Sequence, residues 1–259
     1  MKRTLRRAIA RVVPARSTAG IRVLLYHGID EPAPDDRLSL LVSRRRFRQQ
    51  MEYLRTGGYA VVPLAALLNP SQEADRVRVA ITFDDGYRSQ NWAADVLRDF
   101  GFPATFFVVP RFLDGVREPR AYWERWGHLS WDEVGKLILV GFDVGAHSTS
   151  HPDLRRCPDA ELEDEVSGAR ALLQRRLGTE IVSFSYPYGR TDARVRRAVK
   201  RGGYSLGCTS RYGLNRSPGP SYAVHRTEVA GTDDLDDFRW KLHGKYDWLG
   251  YWQDVRSTP

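Results

Sequence analysis

Cysteine is nearly absent. Cys157 and Cys208 are the only two in 259 residues, and they form no C-x-x-C pair. That argues against a disulfide scaffold and fits a reducing compartment. Both read as inert core or loop thiols rather than catalytic groups. Long apolar runs are missing as well. No stretch approaches the roughly 20 apolar residues of a membrane span. The basic N-terminus, MKRTLRRAIARVVPARSTAG, lacks the apolar centre and small-residue cleavage site of a secretory signal. The expectation is a cytoplasmic protein. Acidic residues are absent before Asp30, whereas Lys2, Arg3, Arg6, Arg7, Arg11, Arg16 and Arg22 precede it. Leu5, Ile9, Val12 and Val13 recur at helical spacing among these cations. An amphipathic helix formed by residues 1–16 on an anionic membrane, at the inner face, would look like this. A frayed, solvated tail is the alternative. The net charge of +8 raises the question of nucleic acid. No nucleic-acid module's motif and no interleaved aromatic signature accompany it, so none is expected as a partner.

Repeats, low-complexity tracts and interdomain linkers are also lacking. What is present is 42% hydrophobic and 11% aromatic content, enough for one large core. Short β-rich runs alternate with amphipathic helical stretches, the order of parallel strands joined by helices. IRVLLYH, RVAITFDDG, PATFFVV, FDVGAH, EIVSFSYPYG and GYSLGCTS read as strands. Ser43 opens a helix with Phe47, Met51 and Leu54 on one face, ended by Gly57 and Gly58. Ser130 with Glu133 forms a capping box, and CPDAELEDEVSGARALLQRRLG reads as one long helix with Pro158 near its start. The unusual residues cluster where strands end, which is where barrels and open parallel sheets carry chemistry.

Asp84 and Asp85 close an apolar strand, and two buried carboxylates need a cation or a proton. At a strand end they can diverge, one binding a metal and the other acting as a base; capping of a turn at Gly86 is the plainer reading. His147 and His151 form H-x-x-x-H after another strand. Residues four apart can share a helical face and meet one ion, though two loop histidines would look the same. Only six histidines exist in the chain. Together the motifs supply three ligands, Asp85, His147 and His151, with a position left for water, and a spare carboxylate, Asp84, for its proton. Two imidazoles and a carboxylate suit zinc or a similar divalent ion.

T-F-D-D-G at 82–86, H-S-T-S-H at 147–151 and Y-P-Y-G at 186–189 resemble, in order and rough spacing, motifs of the polysaccharide deacetylases. These form carbohydrate esterase family 4, also called the NodB-homology domain. The resemblance runs from about Arg22 to Trp248. It implies an α/β fold, a distorted (β/α)7 barrel in a single domain over residues 21–259, with residues 1–20 as a basic extension. It also implies hydrolysis of N-acetyl groups on glycans. By the same carry-over Asp84 is the catalytic base and Asp85, His147 and His151 are the metal ligands. The Tyr188 backbone helps hold the oxyanion, and Pro187 with Tyr188 shapes a wall of the groove.

Two positions depart from the family pattern. Ser185 stands where the third motif usually begins with an Arg that steadies the base. The fifth motif, usually L-x-H with its His as the acid, is matched only by Ala223-Val224-His225, followed by Arg226; His27, closing the first strand, is the rival acid. The fourth motif is not recognisable around GCTSRYGLN. The expected substrate is an N-acetylated saccharide, part of a surface polysaccharide or its lipid-linked precursor. A deformylase or amidase on a lipid- or nucleotide-linked sugar, and a catalytically weak carbohydrate-binding protein, are the alternatives. Tyr122, Trp123, Trp126 and Trp131 crowd one stretch, and Trp240, Trp248, Tyr251 and Trp252 another. Most read as packing residues, with Tyr122 or Trp123 favoured for stacking on sugar.

Overall fold

The structure, a computed structural model, describes residues 3–15, 19–34, 36–69, 77–115, 126–216 and 219–250. Lys2, Arg16, Tyr122, Trp123, Tyr251 and Trp252 lie outside the described residues.

The strands begin with β1 (Gly20–Tyr26), followed by a short parallel pair, β2 (Gly28–Ile29) and β3 (Leu41–Val42). Then come β4 (Val77–Phe83), β5 (Thr105–Val108), β6 (Asp143–Ala146), β7 (Ser183–Ser185), β8 (Leu206–Cys208), β9 (Ser221–Val224) and β10 (Arg226–Glu228). The main sheet runs β10-β1-β4-β5-β6-β7-β8-β9, and every pairing in it is parallel. Only His225 separates β9 from β10. The first half of this broken strand pairs with β8 and the second with β1. One bent stave therefore closes the sheet, and counting it once leaves seven staves: the distorted (β/α)7 barrel that the resemblance implies.

Helices fill the connections: α1 (Arg3–Val12), α2 (Arg44–Thr56), α3 (Gln90–Phe100), α4 (Pro110–Leu113), α5 (Trp131–Leu139), α6 (Asp159–Glu163), α7 (Ala169–Leu177), α8 (Ala193–Arg201) and α9 (Leu235–Leu242). Their ends follow local chemistry. The Ser43 hydroxyl accepts from the Arg46 N–H at the start of α2, which buries Phe47, Gln50, Met51 and Leu54. The Ser130–Glu133 capping box opens α5. Between α6 and α7 the expected long helix widens into a single π turn at Asp164–Gly168.

The two-residue period of the strands divides the core into two layers. Leu24, Tyr26, Val79, Ile81, Phe83, Phe106, Val108 and Phe184 face outward and pack beneath the helices. Each large side chain so buried contributes about 1.5–3 kcal/mol. Val23, Ala80, Phe107, Leu206, Cys208 and Val224 point into the barrel, whose interior is closed below by Leu64 and Leu67. On β4 the inward series Ala80, Thr82 continues to Asp84. A carboxylate thus sits at the mouth end of the inward row, above the apolar layer of the barrel.

Candidate active site

Every residue of the first two motifs lies at the carboxyl end of a strand. Asp84 and Asp85 follow β4, and His147 follows β6 in the turn that carries His151. Asp85 Oδ1 is 3.3 Å from His147 Nε2 and 3.4 Å from His151 Nε2. The three ligand atoms lie within 4.8 Å of one another, and all three residues are buried. The His147 Nδ1–H donates to the Ser185 carbonyl at 2.8 Å, which fixes the tautomer and leaves Nε2 as the coordinating atom. Asp85, Ser148 and His151 have φ of 71°, 58° and 67°. Left-handed backbone at non-glycine residues persists only where surroundings enforce it, and here all three instances serve the ligand set. A carboxylate and two imidazoles converging in a closed pocket fit a divalent ion of the zinc type.

The electrostatics ask for a cation. Burial pushes the Asp85 carboxyl up, but the hydrogen bond from His147 and the charges of His151 and His27 outweigh it and hold the group well below its ordinary range. Burial also pulls the His147 imidazole down, and Asp84 and Asp85 more than reverse this, holding it above its ordinary value. Both directions favour a positive charge between these carboxylates and imidazoles.

Asp84 is bound differently. Arg226, fully buried at the start of β10, donates from Nη1 to Oδ1 and from Nη2 to Oδ2, both at 2.7 Å. Its other donors reach Ser185 Oγ at 2.8 Å, Thr82 Oγ1 at 3.3 Å and the Thr209 carbonyl at 2.8 Å. All five guanidinium N–H groups are used. The Ser185 hydroxyl donates a hydrogen bond to Asp84 Oδ2 at 3.0 Å. Burial alone raises the Asp84 carboxyl; the Arg226 charge, with His147 and His27, overrides it and keeps Asp84 ionised. The cation that the third motif lacks at Ser185 therefore comes from another strand, and the small serine leaves room for it.

The two candidate acids separate. His27 directly follows β1 and acts electrostatically on both Asp84 and Asp85. Gln90 Nε2 ties the site's frame together, donating to the carbonyls of His27 at 3.1 Å and Asp84 at 2.7 Å. His225 stands at the break between β9 and β10. Val224 and Arg226 both point into the barrel, so His225 between them points out. Its backbone N–H donates to Asn215 Oδ1 at 2.9 Å, and its ring lies against Gly213. Moreover, the neighbouring Arg226 pairs with Val23, three residues below the mouth end of β1 at Tyr26. At 223–225 strand alternation sets this histidine off the line along which Val224 and Arg226 point inward.

Tyr188 has φ 60° and ψ 10° in the turn Pro187–Gly189. Its ring meets the His151 ring edge-on at 4.7 Å, and its hydroxyl donates to the His151 carbonyl at 3.3 Å. Gly189 has no alternative, because a Cβ there would fall 1.9 Å from Ser210 Oγ. On the other side, Phe112 lies 6.2 Å from the His151 ring and stacks toward His128, which packs on Tyr87. Trp126 meets Tyr87 at 5.4 Å and ends this row of rings.

Sequence reasoning missed three residues. Arg226 was noticed only as a neighbour of His225. Gln90 gave no signal. Glu165, one acid among many in its helix, holds the loop between the two histidines. Its Oε2 accepts the N–H groups of Thr149 and Ser150 at 2.9 Å, and its Oε1 accepts the Ser150 hydroxyl at 2.5 Å. The π turn makes this reach, with the Asp164 carbonyl accepting from Thr149 Oγ1 at 2.9 Å. Such turns concentrate at functional sites.

Comparison with known proteins agrees with this geometry. The polysaccharide deacetylase family profile matches residues 71–207. The chain is 31% identical over 115 residues to a chitooligosaccharide deacetylase of Bradyrhizobium sp. (strain ANU 289), covering 43% of this chain and 46% of that one. It is 30% identical over 144 residues to a chitooligosaccharide deacetylase of Sinorhizobium fredii, covering 54% and 55%. The chain thus spans about half the length of these curated relatives. Among solved structures, IcaB from Ammonifex degensii superposes with a TM-score of 0.72 at 26% identity, over 88% of this chain and 97% of that one. Streptococcus pyogenes deacetylase PplD superposes with a TM-score of 0.74 at 23% identity, over 87% and 99%. The barrel, the Asp–His–His cluster at its mouth and the matched segment make this chain a member of the polysaccharide deacetylase family.

Proposed function

We propose that this chain is a metal-dependent hydrolase that removes the N-acetyl group from an amino sugar of a surface polysaccharide or its lipid-linked precursor. The observation that carries the reading is the division of labour between adjacent carboxylates: Asp85 faces two imidazoles, while Asp84 faces an arginine and stays ionised. Asp85, His147 and His151 would hold a zinc-type ion, which when bound activates water and polarises the amide carbonyl. Asp84, fixed by both oxygens, accepts the proton of the attacking water. The Tyr188 backbone N–H, set by its left-handed conformation, is assigned to the developing oxyanion. His27 delivers a proton to the leaving amine. The missing arginine at Ser185 would favour a catalytically weak carbohydrate binder, but Arg226 supplies that charge. Names of the relatives support the substrate class: two act on chitooligosaccharides, and a third, 25% identical over 141 residues, is a peptidoglycan-N-acetylmuramic acid deacetylase of Bacillus subtilis.

The test is acetate release from N-acetylated oligosaccharides by protein stripped of metal and resupplied with zinc. Release should require the ion and vanish in Asp84→Asn and His147→Ala. His27→Gln should lose most of kcat, and His225→Gln little. Zinc bound without acetate release would move the reading to a different acyl group, such as formyl. Failure to bind any divalent ion would refute it.

A further inference from the structure

The helix α1 is held on the barrel by one face only. Arg7 pairs with both Asp234 and Asp237 at the start of α9 and lies over the Trp240 ring. Ala10 is fully buried against Tyr212 and Tyr246. The opposite face carries Leu5, Ala8 and Val12, whose i, i+3, i+7 spacing aligns them in one stripe. Leu5 is 53% exposed and Val12 81%. Exposed Arg6 and Arg11 flank the stripe. A large aliphatic side chain left in water on a docked helix, bordered by exposed cations, has the chemistry of an interfacial segment. The acids nearby do not oppose this. Arg7 pairs with both Asp234 and Asp237, Lys241 with Asp233 and Arg239 with Asp236, so three cations offset all but one of these four charges. No acid precedes Asp30 in the chain.

The position of the helix gives the stripe a consequence. α9 begins just beyond the carboxyl end of β10, on the side where Asp84 and Asp85 open. Arg7 grips that end of α9, whereas β1 starts with Gly20 at the opposite side of the barrel. The N-terminal end of α1 is thus level with the mouth of the barrel. No helix among the described residues is long and apolar enough to cross a membrane.

We propose that the outward face of α1, Leu5–Ala8–Val12 between Arg6 and Arg11, docks on an anionic lipid surface and brings the barrel mouth beside the headgroups. The occupant is chosen by charge: a stripe flanked by cations fits anionic headgroups better than a second copy of the same cationic face. This surface does not depend on the deacetylase reading.

The experiment is co-sedimentation of the full-length protein with vesicles of phosphatidylcholine alone and with about one-third phosphatidylglycerol. Binding should require the anionic lipid and weaken as salt rises. Leu5→Glu with Val12→Glu, and separately Arg6→Glu with Arg11→Glu, should each reduce it at least about tenfold. Both pairs are exposed, so the fold and zinc binding should be unchanged, which circular dichroism and metal titration would confirm. Equal binding to both vesicles, no binding, or full binding by both variants would overturn the proposal. So would a wild-type dimer that becomes monomeric in the Leu5/Val12 variant. Acetate release plays no part in the readout, so failure here leaves the catalytic reading standing.

Discussion

Arg226→Met removes the guanidinium that holds Asp84 and keeps the chain length. Asp84, 3% exposed, is then left with the Ser185 hydroxyl and the more distant His147 and His27 for its charge. Breaking a buried pair by deleting one partner costs about 3–5 kcal/mol, because the surviving charge is uncompensated. That is a large part of the roughly 5–15 kcal/mol that stabilises a typical domain. At about 2–4 °C per kcal/mol for a chain of this size, the melting temperature should fall by about 6–20 °C. Thermal denaturation of the metal-free protein at neutral pH measures this directly.

The pH dependence carries a sign that separates this cause from simple loss of packing. In the native chain the Asp84 carboxyl is depressed below its ordinary value of 3.8. Its stabilisation is therefore present above that value and is lost as pH falls through the native one. Without Arg226, burial dominates and the carboxyl rises above its unfolded value. The variant then becomes less unfavourable as acid protonates Asp84. The gap in stability between Arg226→Met and wild type should accordingly narrow as pH falls, and the acid limb of the pH–rate profile should move to higher pH. Arg226→Lys keeps the charge but not the two-pronged geometry, and should fall between. In a double-mutant cycle, Arg226→Met combined with Asp84→Asn should cost less than the sum of the single changes. Arg226→Met within about 1 kcal/mol of wild type, or costs that simply add in the cycle, would refute the argument.

Glu165→Gln should weaken zinc about 10–100-fold in a chelator competition while the protein stays folded. The amide cannot accept both loop N–H groups and the Ser150 hydroxyl as the carboxylate does; unchanged affinity would reduce Glu165 to packing. Burial pushes the Cys157 thiol up to about 11 and the Cys208 thiol up to about 12. Neither should react with iodoacetamide at pH 8 until the protein is denatured, as mass spectrometry would report. Gly189→Ala places a Cβ 1.9 Å from Ser210 Oγ at a φ of 66°. It should cost about 1–3 kcal/mol and lower kcat through the displaced Tyr188; a neutral effect in both assays would count against the tight turn.

Much of the fold was legible because its signals are local. The Ser43 cap, the Ser130–Glu133 box and the apolar face of α2 each lie within one helix, and chain-neighbour geometry fixes them. The π turn left no mark, since the helical pattern of 159–177 runs through it. Strand closure was half legible: GYSLGCTS reads as a strand, whereas the next stave is broken at His225 and changes partner there. Of the site, the residues packed into short motifs were readable and the supporting ones were not. Glu165 meets Ser150 across 15 residues and Arg226 meets Asp84 across 142. Nothing in their neighbourhoods marks them.

By itself the sequence determined the alternating architecture and the chemical inventory at the mouth. Two adjacent carboxylates at a strand end, and two histidines four apart, already contain the ligand set and a base. Only the tertiary structure decided which charge steadies that base. The period of a strand turns Arg226 inward and His225 outward, and the closing of the barrel carries Arg226 to Asp84. Those are properties of register and closure, which a linear motif does not encode.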